Sequence, residues 1–455
     1  MKKVLLSILL ISAVAPQIFA QKGAKPALTP AITSQVFHPV KFEEYDMPNG
    51  LHVILYEDHS APRVAVRVFY HVGSRNERSD RTGFAHFFEH LMFESTDHIK
   101  RGDYAKDIEA IGGELNAHTS LDHTFYQEDV PSNYMRQALW QESERMHWLH
   151  VDSAGVETQR QVVKEERRNR YENQPYGSFF LKLMSAVFHT SQYSWTPIGD
   201  AQYIDQATIK EFQDFYHENY VPNNAVLVIA GDFKQAEAKA AAQDYFADIP
   251  RGAEIDRSYT PEPPQTSERT VEVNEKITPL PAVAYGWRTV PEGDKDQYAL
   301  DMLANVLMQG NSSRLVKRLK DEDQLVASVQ PIALTLEKDG AFGLLAVASK
   351  GKELSKVRAE LDEEIKKLQS SGISDEEFQK VRNQMTKDLV TQAAEMGSVA
   401  FALSEEYALF HDAKRYNSEI DRYMAVTKQD IQRVAKKYLT NSARSVITYT
   451  VPTNQ

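Results

Sequence analysis

Gly83-Phe84-Ala85-His86-Phe87-Phe88-Glu89-His90-Leu91-Met92-Phe93 is the stretch from which the rest of the chain can be read. A helix advances about 100° per residue, so residues four apart lie on one face. On such a helix Phe84, Phe87, Phe88 and Leu91 fall on one side, and His86, Glu89, His90 and Phe93 fall on the other. The segment thus predicts a helix that buries an aromatic stripe and turns a His/Glu/His face away from it. Two neutral imidazoles so placed can converge on one ion, and a catalytic zinc site uses three protein ligands plus a water. The ion lowers the pKa of that water toward neutrality. Glu89 stands beside the ion rather than on it, where it can take the water's proton and pass it to a leaving group. Two unrelated histidines on a helix would give the same letters, so the pentapeptide does not decide the matter alone.

A third ligand is required. Residues 155–171 read as a helix with Val156, Val162 and Val163 at its apolar positions. Glu166 lies about 40° from Val162, on the face expected to be buried, while Glu165 points toward solvent. A carboxylate on a buried face is costly unless it is paired or binds a metal. That favours Glu166 as the ligand. A salt-bridged surface helix is the competing reading, because Arg160, Lys164, Arg167 and Arg168 are close in sequence.

Outward from these helices, strands are expected at 51–56, 63–70 and 225–231, and a hairpin over 114–130. Helices are expected at 133–149, 155–172 and 207–218. A Pro-rich, charged run at 251–270 reads as a linker. Beyond it come strands at 282–287, 342–349 and 445–451, with helices at 296–308, 312–320, 353–369, 375–410 and 427–438. The two halves share an order of elements, and each closes with a helix and then an apolar strand. The expected architecture is α+β: two homologous domains, 36–250 and 271–455, each a mainly antiparallel sheet with helices packed on one face. The second is expected to carry no metal site.

Composition narrows the function classes. The chain has 455 residues and no Cys, which removes thiolate nucleophiles and thiolate ligands. Lys2 and Lys3 precede an apolar run from Val4 to about Val14, broken by Pro16 and followed by Ala20. This reads as a cleavable export signal over 1–20, leading to the periplasm or the exterior, with no stable membrane anchor. Net charge is -12, and subtracting Lys2 and Lys3 gives -14, a poor balance for nucleic-acid binding.

With these pieces in order the chain resembles the pitrilysin/insulinase family of zinc peptidases, its shorter members above all. The resemblance rests on Gly73-Ser74-Arg75-Asn76-Glu77, the 83–93 segment, Val162-Val163-Lys164-Glu165-Glu166, Tyr220-x-Pro222-x-Asn224 and Ala230-Gly231-Asp232. It implies an exported metalloendopeptidase holding one Zn2+ per chain through His86, His90 and Glu166. Seventy-five residues separate His90 from Glu166, which is the family's spacing. It also implies that 113–119 is an edge strand for peptide substrates, with Asn116, Ala117 and His118 in contact with them. His118 and His123 are expected on the strand surface rather than as ligands.

Two positions depart from the family's pattern. Gln159 stands where a second Glu is usual, seven residues before the third ligand, and is expected to act behind the ligands. Lys320 and Ala327 stand where active members carry an Arg and a Tyr that approach the scissile carbonyl. Losing such a donor slows the reaction on the order of a hundredfold or more. The implied arrangement is a heterodimer in which this chain bears the metal and a second family subunit supplies the Arg/Tyr pair. A self-sufficient homodimer and a non-catalytic assembly subunit are the alternatives.

Overall fold

The computed structural model describes residues 38–451. The export signal expected at 1–20, and residues 36 and 37 of the first expected domain, lie outside the described residues.

The first half runs β1 (Glu43–Asp46), β2 (His52–Glu57), β3 (Arg63–Tyr70), α1 (Phe84–Leu91), α2 (Tyr104–Ala110), β4 (Glu114–Thr119) and β5 (Thr124–Pro131). It continues with α3 (Met135–His147), α4 (Ser153–Arg167), α5 (Phe179–Val187), α6 (Ala201–Gln206), α7 (Ile209–Asn219), β6 (Ala225–Gly231) and α8 (Gln235–Phe246). Residues 251–268 form no regular element. The second half begins with β7 (Arg269–Asn274), β8 (Ala282–Arg288), α9 (Gln297–Met308), β9 (Val326–Thr335) and β10 (Gly340–Ala348). It closes with α10 (Leu354–Ser371), α11 (Asp375–Ala393), α12 (Met396–Phe410), α13 (Glu419–Ala425), α14 (Lys428–Tyr438) and β11 (Arg444–Thr450).

The strands form two sheets, ordered β1-β2-β6-β3-β5-β4 and β7-β11-β8-β10-β9. Set β1 aside and the orders match strand for strand. In each sheet the last strand of its half enters between the first two, parallel to one neighbour and antiparallel to the other. All other pairings are antiparallel. The duplication hinted at by element order is therefore written in topology, and the α+β class holds.

Each sheet buries one face under its own helices, as expected. Val53, Leu55, Val66, Val68, Leu227 and Ile229 pack with α1, α3, α7 and α8. Val283, Tyr285, Trp287, Leu344 and Val446 pack with α9, α10 and α14. The opposite faces are covered too, by exchange. Val399, Ala400 and Leu403 of α12 lie on Ile54, Ala65, Phe69 and Val228 of the first sheet. Leu183, Met184 and Val187 of α5 lie on Ala284, Leu345 and Ile447 of the second. This explains why β6 and β10 are buried along their whole length, and why their sequences are apolar runs rather than alternating ones. It also explains a break in the helix expected over 375–410. Glu395 is extended, and the chain turns there so that α12 can leave α11 and reach the other sheet.

Candidate metal centre

The centre is built on α1. Gly83 precedes it with φ 99°, a left-handed conformation that favours glycine. The first turn is held from outside by Glu77, whose two carboxyl oxygens accept the N–H groups of Gly83 at 2.9 Å and Ala85 at 2.8 Å. Burial pushes the Glu77 carboxyl up to about 8, against those hydrogen bonds. The aromatic stripe docks as the pattern predicts. Phe84 and Phe87 each stack on Phe212 with ring centroids 4.7 Å apart, and Phe88 stacks on Phe215 at 5.5 Å.

The opposite face meets α4, whose first turn is capped by the Asp152 carboxylate on the Gly155 N–H at 2.7 Å. Glu166 Oε2 lies 3.4 Å from His86 Nε2 and 3.2 Å from His90 Nε2. One donor atom from each of the three lies within 4.8 Å of the others, the only such group of three or more among the described residues. Glu166 does not, however, share a buried face with Val162. Val162 is 43 % exposed and does not mark the buried face; Val156 and Val163 do. Glu166 follows Val163 by three residues, about 60° round the helix, and that brings it toward α1. Glu165 points to solvent and pairs with Arg168 at 2.9 Å.

Burial pushes the Glu166 carboxyl up, but His86 and His90 more than offset this and hold it far below the usual range. Its second oxygen is taken by Arg170 at 2.7 Å, from the wide turn that follows α4. His90 Nε2 is buried, and its approach to Glu166 Oε2 at 3.2 Å does not have the geometry of a hydrogen bond. Two imidazole nitrogens and one carboxylate oxygen, one of them orphaned, converging on a single point fit zinc held by three protein ligands with a further position open. Glu89 lies between the two histidines in sequence. Its Oε2 accepts a hydrogen bond from Thr119 Oγ1 at 2.8 Å.

Thr119 closes β4, the open edge of the first sheet. Ser120 N–H donates to His123 O at 2.8 Å, so 120 and 123 form a hydrogen-bonded pair. Alternation along the antiparallel ladder then turns the main chain of His118 and Asn116 toward β5, and that of Thr119, Ala117 and Leu115 toward the open edge. Asn116 and His118 carry exposed side chains, whereas Ala117 packs against the core. His118 Nε2 lies 3.1 Å from His123 Nε2, and His123 sits buried beside Phe69 and Phe401.

The remaining candidates sit elsewhere. Gln159 Nε2 donates to Glu94 Oε1 at 2.6 Å, tying α4 to the segment after α1 rather than to a ligand. Lys320 and Ala327 are exposed residues of the second half, one in the turn at Val316–Glu322 and one in β9, and neither is hydrogen-bonded to the centre. The roles of Glu77, Thr119 and Arg170 escaped the sequence reading. Glu77 was within a quoted motif, but nothing in that motif says which backbone its carboxylate reaches.

Comparison with known proteins places this geometry. Residues 52–200, which contain the whole centre, match the model described as insulinase (peptidase family M16), and residues 206–385 match that described as peptidase M16 inactive domain. The chain belongs to peptidase family M16. It is 28 % identical over 410 residues to the zinc protease PqqE of Helicobacter pylori, covering 90 % of this chain and 92 % of that protein. It is 25 % identical over 403 residues to a probable mitochondrial-processing peptidase subunit beta of Arabidopsis thaliana, covering 86 % and 75 %. Among solved structures, a protease from Helicobacter pylori superposes with a TM-score of 0.87 at 28 % identity, covering 90 % of this chain and all of that one.

Proposed function

We propose that the chain is an exported zinc endopeptidase that cleaves extended peptides or unfolded segments, holding one zinc ion through His86, His90 and Glu166. The observation that carries this is the convergence of those three donors beside Glu89, next to an open sheet edge. A bound zinc ion supplies Lewis acidity and brings the pKa of the attacking water toward neutrality. Glu89 removes that water's proton and delivers it to the leaving amine. The outward main-chain groups of Ala117 and Thr119 hold the substrate as an added strand, which selects unfolded segments. Asn116 and His118 contact substrate through their side chains only.

The proposed division is a metal-bearing domain over 36–250, a linker over 251–270 and a second domain over 271–455. With Lys320 and Ala327 in place of an Arg and a Tyr, the second half lacks that pair: Lys320 keeps a charge without the planar fork, and Ala327 donates no hydrogen bond. A partner chain of the same family therefore completes the site, as a relative named as a beta subunit also favours. The test measures zinc content and peptide cleavage on the chain alone and mixed with a candidate partner, beside Glu89→Gln. Zinc near one per chain, cleavage only on mixing and loss in the variant are expected. A zinc-free chain sinks the reading; full activity of the chain alone removes the partner and leaves the metal centre standing.

A further inference from the structure

Thr119 does two things at once. Its hydroxyl donates to Glu89 Oε2 at 2.8 Å, and its main chain faces the open edge at which β4 can accept another strand. The two directions are independent, because side chains leave a strand perpendicular to the hydrogen-bonding plane. The burial pattern of β4 agrees: Leu115, Ala117 and Thr119 are the half-buried positions, on the face turned to α1. Among the described residues the Thr119 hydroxyl is the only hydrogen-bond partner of the Glu89 carboxylate. A carboxylate that must aim at a water and then at a leaving nitrogen has rotatable side-chain bonds to restrain, and one oriented donor restrains them. β-Branching holds Thr119 in few rotamers, so its hydroxyl is fixed by the strand itself.

We infer that Thr119 is a positioning residue that couples the docked peptide to the base: the strand that receives the substrate also sets the Glu89 carboxylate. This rests on the reading of Glu89 as the base and adds to it a residue outside the metal ligands. Engaging the Thr119 main chain by an incoming strand fixes the position from which its hydroxyl holds Glu89. Substrate docking and base alignment are then one event rather than two.

Thr119→Val keeps the shape and the β-branch but removes the donor, and Thr119→Ser keeps the donor. With the zinc-loaded chain and its partner, Thr119→Val is expected to lower kcat about tenfold, as for loss of one hydrogen bond to a charged group, with KM for an extended peptide within twofold. Thr119→Ser restores most of kcat. A readout without turnover is the crystal structure of metal-free Thr119→Val, in which the Glu89 carboxylate should leave its wild-type position while β4 stays in register. In the Glu89→Gln background, adding Thr119→Val should cost no further activity. Wild-type kcat in Thr119→Val, or equal losses in Val and Ser, would overturn the inference. An active Glu89→Gln would overturn the base assignment instead, and the two failures are thus distinguishable.

Discussion

Replacing Glu77 by Ala tests whether the metal helix is held from its N-terminus. The side chain is 5 % exposed, and the N–H groups it binds, on Gly83 and Ala85, lie in a buried turn. Alanine leaves both donors without an acceptor. Each buried unsatisfied donor costs roughly 1–3 kcal/mol, so the two together cost about 2–6 kcal/mol. The wild-type carboxyl does not enjoy its site fully, since burial pushes it up to about 8 and at pH 7 it is mostly protonated. The loss is therefore expected near the lower end. At about 1.4 kcal/mol per factor of ten, 2 kcal/mol speeds local opening roughly thirtyfold. The assay is hydrogen exchange of the metal-free chain at pH 7, read on fragments spanning 83–88, with fragments from β8 and β10 as the internal reference. Glu77→Gln keeps one acceptor and should fall between. Exchange at 83–88 within threefold of wild type would refute the reasoning. So would equal acceleration in both sheets, which would make Glu77 a general prop rather than a clamp on α1.

Gly199 has φ 59°, and a Cβ there would lie 2.3 Å from Gly83 N and 2.4 Å from Gly83 Cα. Gly199→Ala should therefore destabilise the fold by about 1–3 kcal/mol and weaken zinc binding by displacing the start of α1; wild-type zinc affinity in a titration would count against this. Ala117→Pro removes a main-chain donor that faces the open edge, so the variant should fold with an unchanged far-ultraviolet spectrum. Its affinity for an extended peptide, measured in the Glu89→Gln background, should fall about tenfold for one lost hydrogen bond; unchanged affinity would mean that the edge is not the docking line. Burial, then the neighbouring Glu292 and Glu406, push Glu405 up to about 8. A carboxyl raised in the fold adds stability when protonated and loses it as pH climbs through 8. Below pH 6.5 the lowered, buried His71 and His123 act the other way, so the window to examine is pH 6.5–8.5. Tm should fall across that window, with Glu77, also raised to about 8, adding to the fall, and Glu405→Gln should make the slope shallower; a parallel slope would exclude Glu405 as a source.

Much of the fold was legible because its signals are local. The apolar runs of β6 and β10, the alternation in β3 and the aromatic stripe of α1 each announce themselves within one window. The elements that went unread draw their stability from afar. β1 and β7 are short and largely exposed, and each depends on one neighbouring strand. Nothing in the residues of α5 or α12 says that the buried face belongs to the sheet of the other half. At the centre, His86, Glu89 and His90 are fixed by one helix and could be read directly. Glu166 could be placed only by analogy of spacing, because the angular argument leaned on Val162, whose side chain faces solvent. Thr119 was invisible for a different reason: a hydroxyl thirty residues from a carboxylate carries no pattern until the sheet places β4 beside α1.

The second half, whose described residues form no metal-competent cluster, still has a physical hold on the site. Arg75 is fully buried and divides its guanidinium between Asp122 at 2.7 Å and Glu337 at 2.5 Å. Asp122 lies in the turn that closes the β4–β5 hairpin, and Glu337 lies in the turn that joins β9 to β10. Asp122 also accepts the Glu337 N–H at 3.0 Å and the Tyr193 hydroxyl at 2.7 Å, while His71 reaches Glu337 at 2.6 Å. The hairpin carrying the open edge is therefore pinned to the second sheet through a buried ion network. Pulling one partner away strands a charge in the interior, at roughly 3–5 kcal/mol. The duplicated half thus fixes, through Arg75, the direction in which β4 presents its edge, and with it the line along which a peptide could reach Glu89.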